Sequence, residues 1–569
     1  MYIRIVNSKS KSGYRHKTVQ IVESYREGNK VKTRLLLHLG PLHKFLDKNV
    51  DKFIDELLKL KGEVIADRIK KYGQLKDLGD MFAVLHILKE LTLLQKVLKL
   101  QEKNTKIEFD VASNLQALIS NRLSDPSSKL KLLTWLETVY LPEVKEKDIS
   151  YNNLLRTLDF IIEHKKDIED HLAKSVISIC DIELKVCFYD ITSTYFESDN
   201  IGDNTDDIRR FGYSRDHRSD RCQVLIGVVM TEEGIPIVHY VFPGNTADRS
   251  TLKEVIRDIK ARFGSHVSVT PVIDKGMISE TNLDWLLSQE FTFIIGESKN
   301  ISLTSRDVIN EANEKYPNKD IPHTFEKDVA YNYNVTDDDG EITGETSTYI
   351  RYIASFNPDT YKLNTEHFKV RISDFEEEVC RINAKKISIN NKYAQIVSYA
   401  VRKHIKGLYD IVIKDNKVVV TKRQDKYEYI QKSFGWFIVK SNLNKLEYSS
   451  ENIIETYKGL WRVEHGFREL KHTLEVRPMY HFSERRIKAH IFGCFIALVI
   501  SSIIEKRLKD NGLNLSCENA LFELKKIKFI NYTTTNNVKS VAINEVNNTA
   551  KKIFKALNIT PSRYKKIVG

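Results

Sequence analysis

Cysteine is scarce in this chain: six residues in 569, at 180, 187, 222, 380, 494 and 517, with no C-x2-C pair and no Cys/His cluster at zinc spacing. That excludes a disulfide framework and a zinc ribbon, and the six read as reduced, mostly buried thiols of a cytosolic protein. Long apolar runs are missing as well. The longest, IFGCFIALVISSII from Ile491 to Ile504, falls short of the ~18–20 residues a membrane span needs and is closed by Glu505 and Lys506. It is expected to be a buried core helix. The opening MYIRIVNSKSKSGYR has no apolar h-region, so it does not read as a signal peptide. No internal repeat and no long low-complexity segment occurs.

What is present is enough apolar residue, 41%, for real cores, in a length that suits two to four domains at roughly 100–200 residues each. The 89 basic against 77 acidic residues give a net charge of +12, which favours a polyanion such as nucleic acid as partner. Residues 17–40 show two strand-like runs joined by the turn Glu27-Gly28-Asn29-Lys30, so a small β unit, 1–42, is expected to open the chain. From 43 to 175 the pattern turns helical, with Lys-rich faces. At 184 it changes again to β-branched and aromatic runs.

The order read from there is β-β-β-α-β-α-β: LKVCFYDITSTYF, CQVLIGVVMT and IPIVHYVF as a meander, a helix over 250–263, a strand at 267–274, a helix at 279–289 and a strand at 291–298. The rule of right-handed crossovers then sets the fourth strand beside the first in a mixed sheet. Residues 301–445 read as a β-rich insertion with a charged helical stretch near 365–405. Helical periodicity resumes at Glu451, and 507–569 reads as a basic tail with one or two helices.

Two aspartates stand out. Asp190 interrupts an apolar strand, FYDIT, where an Asp is unfavourable, and Asp274 ends the fourth strand in PVIDKGM. If the first and fourth strands pair, the two carboxylates are neighbours that repel, and a shared divalent cation removes that repulsion. In the late helix, Ile453, Tyr457, Leu460, Val463, Phe467, Leu470 and Leu474 mark an apolar seam, flanked by Glu464, Arg468 and Lys471. By periodicity alone that flank is a solvated stripe with a Glu464–Arg468 pair worth a few tenths of a kcal/mol. Asp248 reads as a helix N-cap, Trp461 as a core aromatic, and Arg215 to Asp220 either as a polar loop or as a DNA contact.

The set Asp190, Asp274 and Glu464, on a first strand, a fourth strand and a helix after an insertion, resembles the catalytic core of bacterial insertion-sequence DDE transposases with a ribonuclease H-like fold. Tyr457, Glu464 and Lys471 match that family's Y-x2-R-x3-E-x6-K signature, while Leu460 stands where the arginine is expected. The resemblance implies an α/β catalytic domain over 176–300 and 446–506, with 43–175 as a helical DNA-binding region. It implies two divalent ions, Mg2+ or else Mn2+, held by the three acids. Tyr457, Arg468 and Lys471 would hold the DNA backbone.

The implied activity is cleavage of the ends of the element and their joining to target DNA by phosphodiester hydrolysis and transesterification. A nuclease without strand transfer, and a catalytically silent DNA-binding protein, are the alternatives. The partners implied are double-stranded DNA, as terminal inverted repeats and target, and a second copy of the chain in a synaptic homodimer. The implied setting is the cytoplasm, at the nucleoid and away from membranes.

Overall fold

The structure is a computed structural model that describes residues 1–9, 15–44, 50–61, 69–104, 106–197, 207–263, 269–298, 302–337, 341–534 and 539–560. It divides into two compact units, residues 1–75 with 530–542, and residues 76–529 with 543–568.

In the first unit, β1 (Tyr2–Lys9), β2 (Arg15–Glu27) and β3 (Lys30–Pro41) form an antiparallel sheet whose β2–β3 hairpin turns where the sequence places it. Helix α1 (Val50–Leu60) follows. The expected all-helical stretch from 43 is then interrupted by a strand, β4 (Ile69–Asp77), which runs on into the second unit.

The second unit opens with six helices: α2 (Gly79–Glu90), α3 (Leu93–Gln101), α4 (Val111–Ser124), α5 (Lys129–Trp135), α6 (Tyr151–Glu163) and α7 (Lys165–Ile179). Side-chain caps start several of them, Asp110 accepting from the Ser113 amide and Ser150 from the Asn153 amide. The expected alternation then appears: β5 (Val186–Tyr195), β6 (Gln223–Thr231), β7 (Pro236–Pro243), α8 (Asp248–Phe263), β8 (Thr270–Ile273), α9 (Glu280–Ser288) and β9 (Ile294–Glu297). β5 pairs antiparallel with β6 and parallel with β8, as the crossover rule requires.

The segment 301–445 differs from the β-rich insertion expected of it. It holds more helix than strand: α10 (Leu303–Lys315), β10 (His323–Thr336), β11 (Ile342–Phe356), α11 (Pro358–Ala384), α12 (Ile389–Arg402), β12 (Tyr409–Lys414), β13 (Lys417–Lys422), α13 (Gln424–Lys432) and β14 (Trp436–Ser441). Its long strands are not set apart either. β14 pairs antiparallel with β9 and carries β11 and β10 beyond it, giving one sheet of eight strands in the order β10-β11-β14-β9-β8-β5-β6-β7. The unpaired backbone groups of β9 are the template that captures β14. The helices of the segment have their own small core, with Phe368, Phe375, Ile396 and Phe434 among its members.

After β14 come α14 (Ser450–Lys458), α15 (Trp461–Arg468) and a π-helical turn at Glu469–Thr473. The long helix α16 (Glu484–Asp510) follows, packed on α4, α6 and β7. By length and composition α16 could cross a membrane, but 83% of its most apolar window is buried, the core helix the sequence suggested. Residues beyond it are more than a tail. α17 (Cys517–Leu524) and α18 (Asn548–Ala556) bury apolar faces, and β15 (Lys528–Thr534) and β16 (Lys539–Ile543) form a sheet with β4.

Candidate active site

Asp190 sits where the otherwise buried β5 becomes partly accessible. In the parallel register Tyr189 lies opposite Ile273, so the next residues along the two strands are Asp190 and Asp274. Asp274 leaves β8 into a short turn, where its Oδ2 accepts from the Gly276 amide at 3.4 Å. Its Oδ1 accepts from the Tyr457 hydroxyl at 3.1 Å. Tyr457 reaches it across β9, and the strand residue beneath is Gly296: a Cβ there would lie 2.0 Å from the Tyr457 oxygen. Only glycine leaves room for that hydroxyl.

The helix bearing Glu464 is held against the same strands, since α15 packs on β5 and β6. The continuous seam expected from 453 to 474 is broken between α14 and α15 at Gly459 and Leu460. At Gly459 a Cβ would meet the Phe188 ring at 2.5 Å and the Thr456 carbonyl at 2.8 Å. The glycine therefore lets the break settle onto β5, two residues before Asp190. Glu464 itself is exposed at the sheet.

Asp190 feels the other two carboxylates. Burial first, then Asp274 and Glu464, push Asp190 up to about 7, against the Ile191 amide, which donates to Asp190 Oδ1 at 2.7 Å, and the charge of Arg215. The Tyr457 hydroxyl is likewise pushed above its ordinary range, by burial and by the charge of Asp274. Asp190 and Asp274 are strand neighbours, and Glu464 is close enough for its charge to act on Asp190, with Arg215 acting against them, so the cleft carries a cluster of carboxylate oxygens. Its all-oxygen donor set suits a hard divalent cation.

A family model described as Transposase DDE domain matches residues 189–500, more than half of the chain. The chain belongs to the DDE transposases. A second model, IS1634 family transposase, N-terminal domain, matches residues 3–68. None of the curated proteins matches the chain. The protein is thus a DNA transposase of a bacterial insertion sequence, a metal-dependent enzyme that cleaves and transfers DNA strands and binds the ends of its element.

The residues expected to hold the DNA backbone do not all face the same way. Arg468 is exposed one turn beyond Glu464. Lys471 is not offered to solvent: its side chain is 9% exposed and its ammonium donates to both Asp216 oxygens, at 3.0 and 3.2 Å. Arg477 donates to the same carboxylate at 2.9 Å. Trp461, expected in the core, is 55% exposed, with its ring edge toward His465. Arg462 does not stand in for the arginine missing at Leu460, since its side chain runs past Gly234 and over the Phe188 ring.

The run from Arg215 to Asp220, which the sequence leaves open between a polar loop and a DNA contact, is stitched to the site. Arg215 pairs with Asp248, its amide donates to Ser193 Oγ at 3.1 Å, and its charge acts on Asp190. Asp248 opens α8 and is also the acid that restrains Arg215.

Proposed function

We propose that Asp190, Asp274 and Glu464 are the catalytic carboxylates of this transposase and together hold two divalent ions, Mg2+ or Mn2+. The ions, when bound, supply an activated oxygen nucleophile and charge relief for the leaving 3′-oxygen of a phosphodiester. The remaining work falls to the chain. Asp190, on the rigid centre of the sheet, is the anchor. The Tyr457 hydroxyl fixes Asp274 Oδ1, and the Gly276 amide, at the longer distance of 3.4 Å, holds Oδ2 weakly enough to leave it a lone pair for an ion. Glu464 comes from a separate helix, so the site closes only when α15 is seated on β5.

Arg468, exposed one turn on, suits a DNA phosphate. Lys471 acts through Asp216, which it and Arg477 hold, and so keeps Arg215 beside Asp190; a direct phosphate contact by Lys471 requires that pair to open. The five strands β7-β6-β5-β8-β9, with β6 alone reversed, support a ribonuclease H-like core. We further propose that two copies of the chain pair in the synaptic complex, each binding one element end.

The observation that carries this reading is the pairing of β5 with β8, which makes Asp190 and Asp274 neighbours under the Tyr457 hydroxyl. Glu464→Gln should abolish cleavage of element-end DNA in Mg2+ or Mn2+ while leaving DNA binding intact. Retained cleavage in that variant would refute the assignment.

A further inference from the structure

Away from the carboxylate cleft, the helical region and the segment after Glu464 enclose a cavity of about 680 Å³, lined by Arg122, Lys129, Tyr480, His481, Phe482 and Arg486 among others. It is cationic at its floor. The Lys129 ammonium donates to His490 Nδ1 at 2.6 Å, and His490 Nε2 donates to the Val476 carbonyl at 2.9 Å. The second bond fixes the tautomer, so Nδ1 is the acceptor and the imidazole carries no charge to balance the lysine. Arg122, also buried, donates only to neutral carbonyls, those of Leu474, Glu475 and Ser127.

Among the described residues, neither Lys129 nor Arg122 has a carboxylate in ion-pair reach, and Glu475 is the one acid lining the cavity. Burial first, then the Arg122 charge, push Lys129 down to about 7. Arg122 is buried and Lys129 partly so, and cations withdrawn from water without a counter-charge are costly, a cost that an anion entering the cavity would remove. The rim is aromatic. Tyr480 and Phe482 are 65% and 61% exposed beside the cationic floor. A volume in the ~300–1,000 Å³ range of ligand sites, lined by cations and by exposed aromatic rings, Phe482 with the Arg209 guanidinium over it, suits a phosphate carrying a base.

We propose that this cavity is a second nucleic-acid site, taking one unstacked nucleotide of a DNA strand, its phosphate against Lys129, with Arg486 shared between that phosphate and Asp159, which it already pairs with at 3.2 and 3.3 Å, and its base against Tyr480 and Phe482. That the anion is DNA rests on the transposase family. The site does not depend on the roles given to the three carboxylates.

The test is calorimetric titration of the full-length chain with thymidine 3′,5′-bisphosphate in EDTA, with inorganic phosphate as the second probe. One site is expected, weakened roughly tenfold or more by Lys129→Met and by roughly fivefold or more by Tyr480→Ala, and unchanged by Glu464→Gln. Inorganic phosphate should bind more weakly and be indifferent to Tyr480→Ala. Arg486→Gln, at a half-exposed position, supplies a variant that keeps the fold if Lys129→Met does not, and should also weaken binding. Equal affinity in Lys129→Met and Arg486→Gln overturns the proposal. So does inorganic phosphate binding as tightly as the nucleotide, which leaves an anion hole with no place for a base. Because Glu464→Gln leaves this site intact, failure here and failure of the carboxylate assignment are separate results.

Discussion

Tyr457 joins the acids of the cleft through one hydrogen bond, and that bond depends on a missing side chain. Removing the hydroxyl with Tyr457→Phe deletes a bond to a charged oxygen, of a kind worth about 1.5–3 kcal/mol. Single-turnover cleavage should slow by roughly 10- to 100-fold, with the melting temperature lowered by no more than a few degrees. Gly296→Ala should do similar damage, since its methyl would strike the Tyr457 oxygen and Cζ, 2.0 and 2.7 Å away. In a Tyr457→Ala background the three atoms nearest that methyl, all of the Tyr457 ring and hydroxyl, are gone. The two changes should therefore be strongly non-additive, and simple additivity in cleavage rates would show that Gly296 does not act through Tyr457.

At the scale of elements, the helix after β14 shows what local pattern can and cannot say. The apolar spacing from Ile453 to Leu474 is real, and Ile453, Val463, Phe467, Leu470 and Leu474 are buried. Spacing alone could not reveal the break at Gly459, because an alternating three-and-four pattern continues across it. Nor could it reveal the π-helical turn at 469–473, which brings Lys471 onto Asp216. The meander, the crossover and the neighbouring aspartates were legible because strands of β-branched residues close in sequence have few ways to pair. The capture of β14 by β9 was not, since Ile438 and Glu297 pair across a long intervening chain and nothing local names the partner.

The same turn yields a prediction. Lys471→Ala leaves Asp216 with Arg477 alone, so the loss should be about 1–3 kcal/mol, below the 3–5 of a wholly abandoned buried charge. Equilibrium denaturation should record that loss. Cleavage should slow through displacement of the loop bearing Arg215, with Mn2+ affinity at the cleft changing far less than the cleavage rate. If stability is unaltered and only DNA affinity falls, Lys471 contacts DNA directly.

For the whole molecule, buried charges of opposite tendency shape stability against pH. Glu169 accepts from Lys165 and from the backbone amide and Nδ1 of His239, at 2.7, 3.0 and 2.7 Å. Burial would raise Glu169, but His239 and Lys165 hold it down to about 2, while burial, with the Lys165 charge, holds His239 down to about 4. Both folded values lie below the ordinary ones, 4.5 and 6.5. The unfolded chain therefore takes up protons first, and stability is lost as pH falls through 6.5 toward 2.

Glu469 has the opposite sign. Burial, with Glu505 adding, pushes it up to about 8, its carboxyl bonded to Ser501. Its contribution is complete below pH 4.5 and is lost as pH rises toward 8, because the unfolded chain releases that proton first. Glu469→Gln keeps a partner for Ser501 and removes the proton that titrates. Urea unfolding of wild type and variant from pH 5 to 8 should show the variant gaining on wild type with rising pH. The gain should have a slope of at most about 1.4 kcal/mol per pH unit. Parallel profiles would mean that Glu469 is ionised in the folded chain and that Glu505 and Glu469 share a charge the fold tolerates by other means.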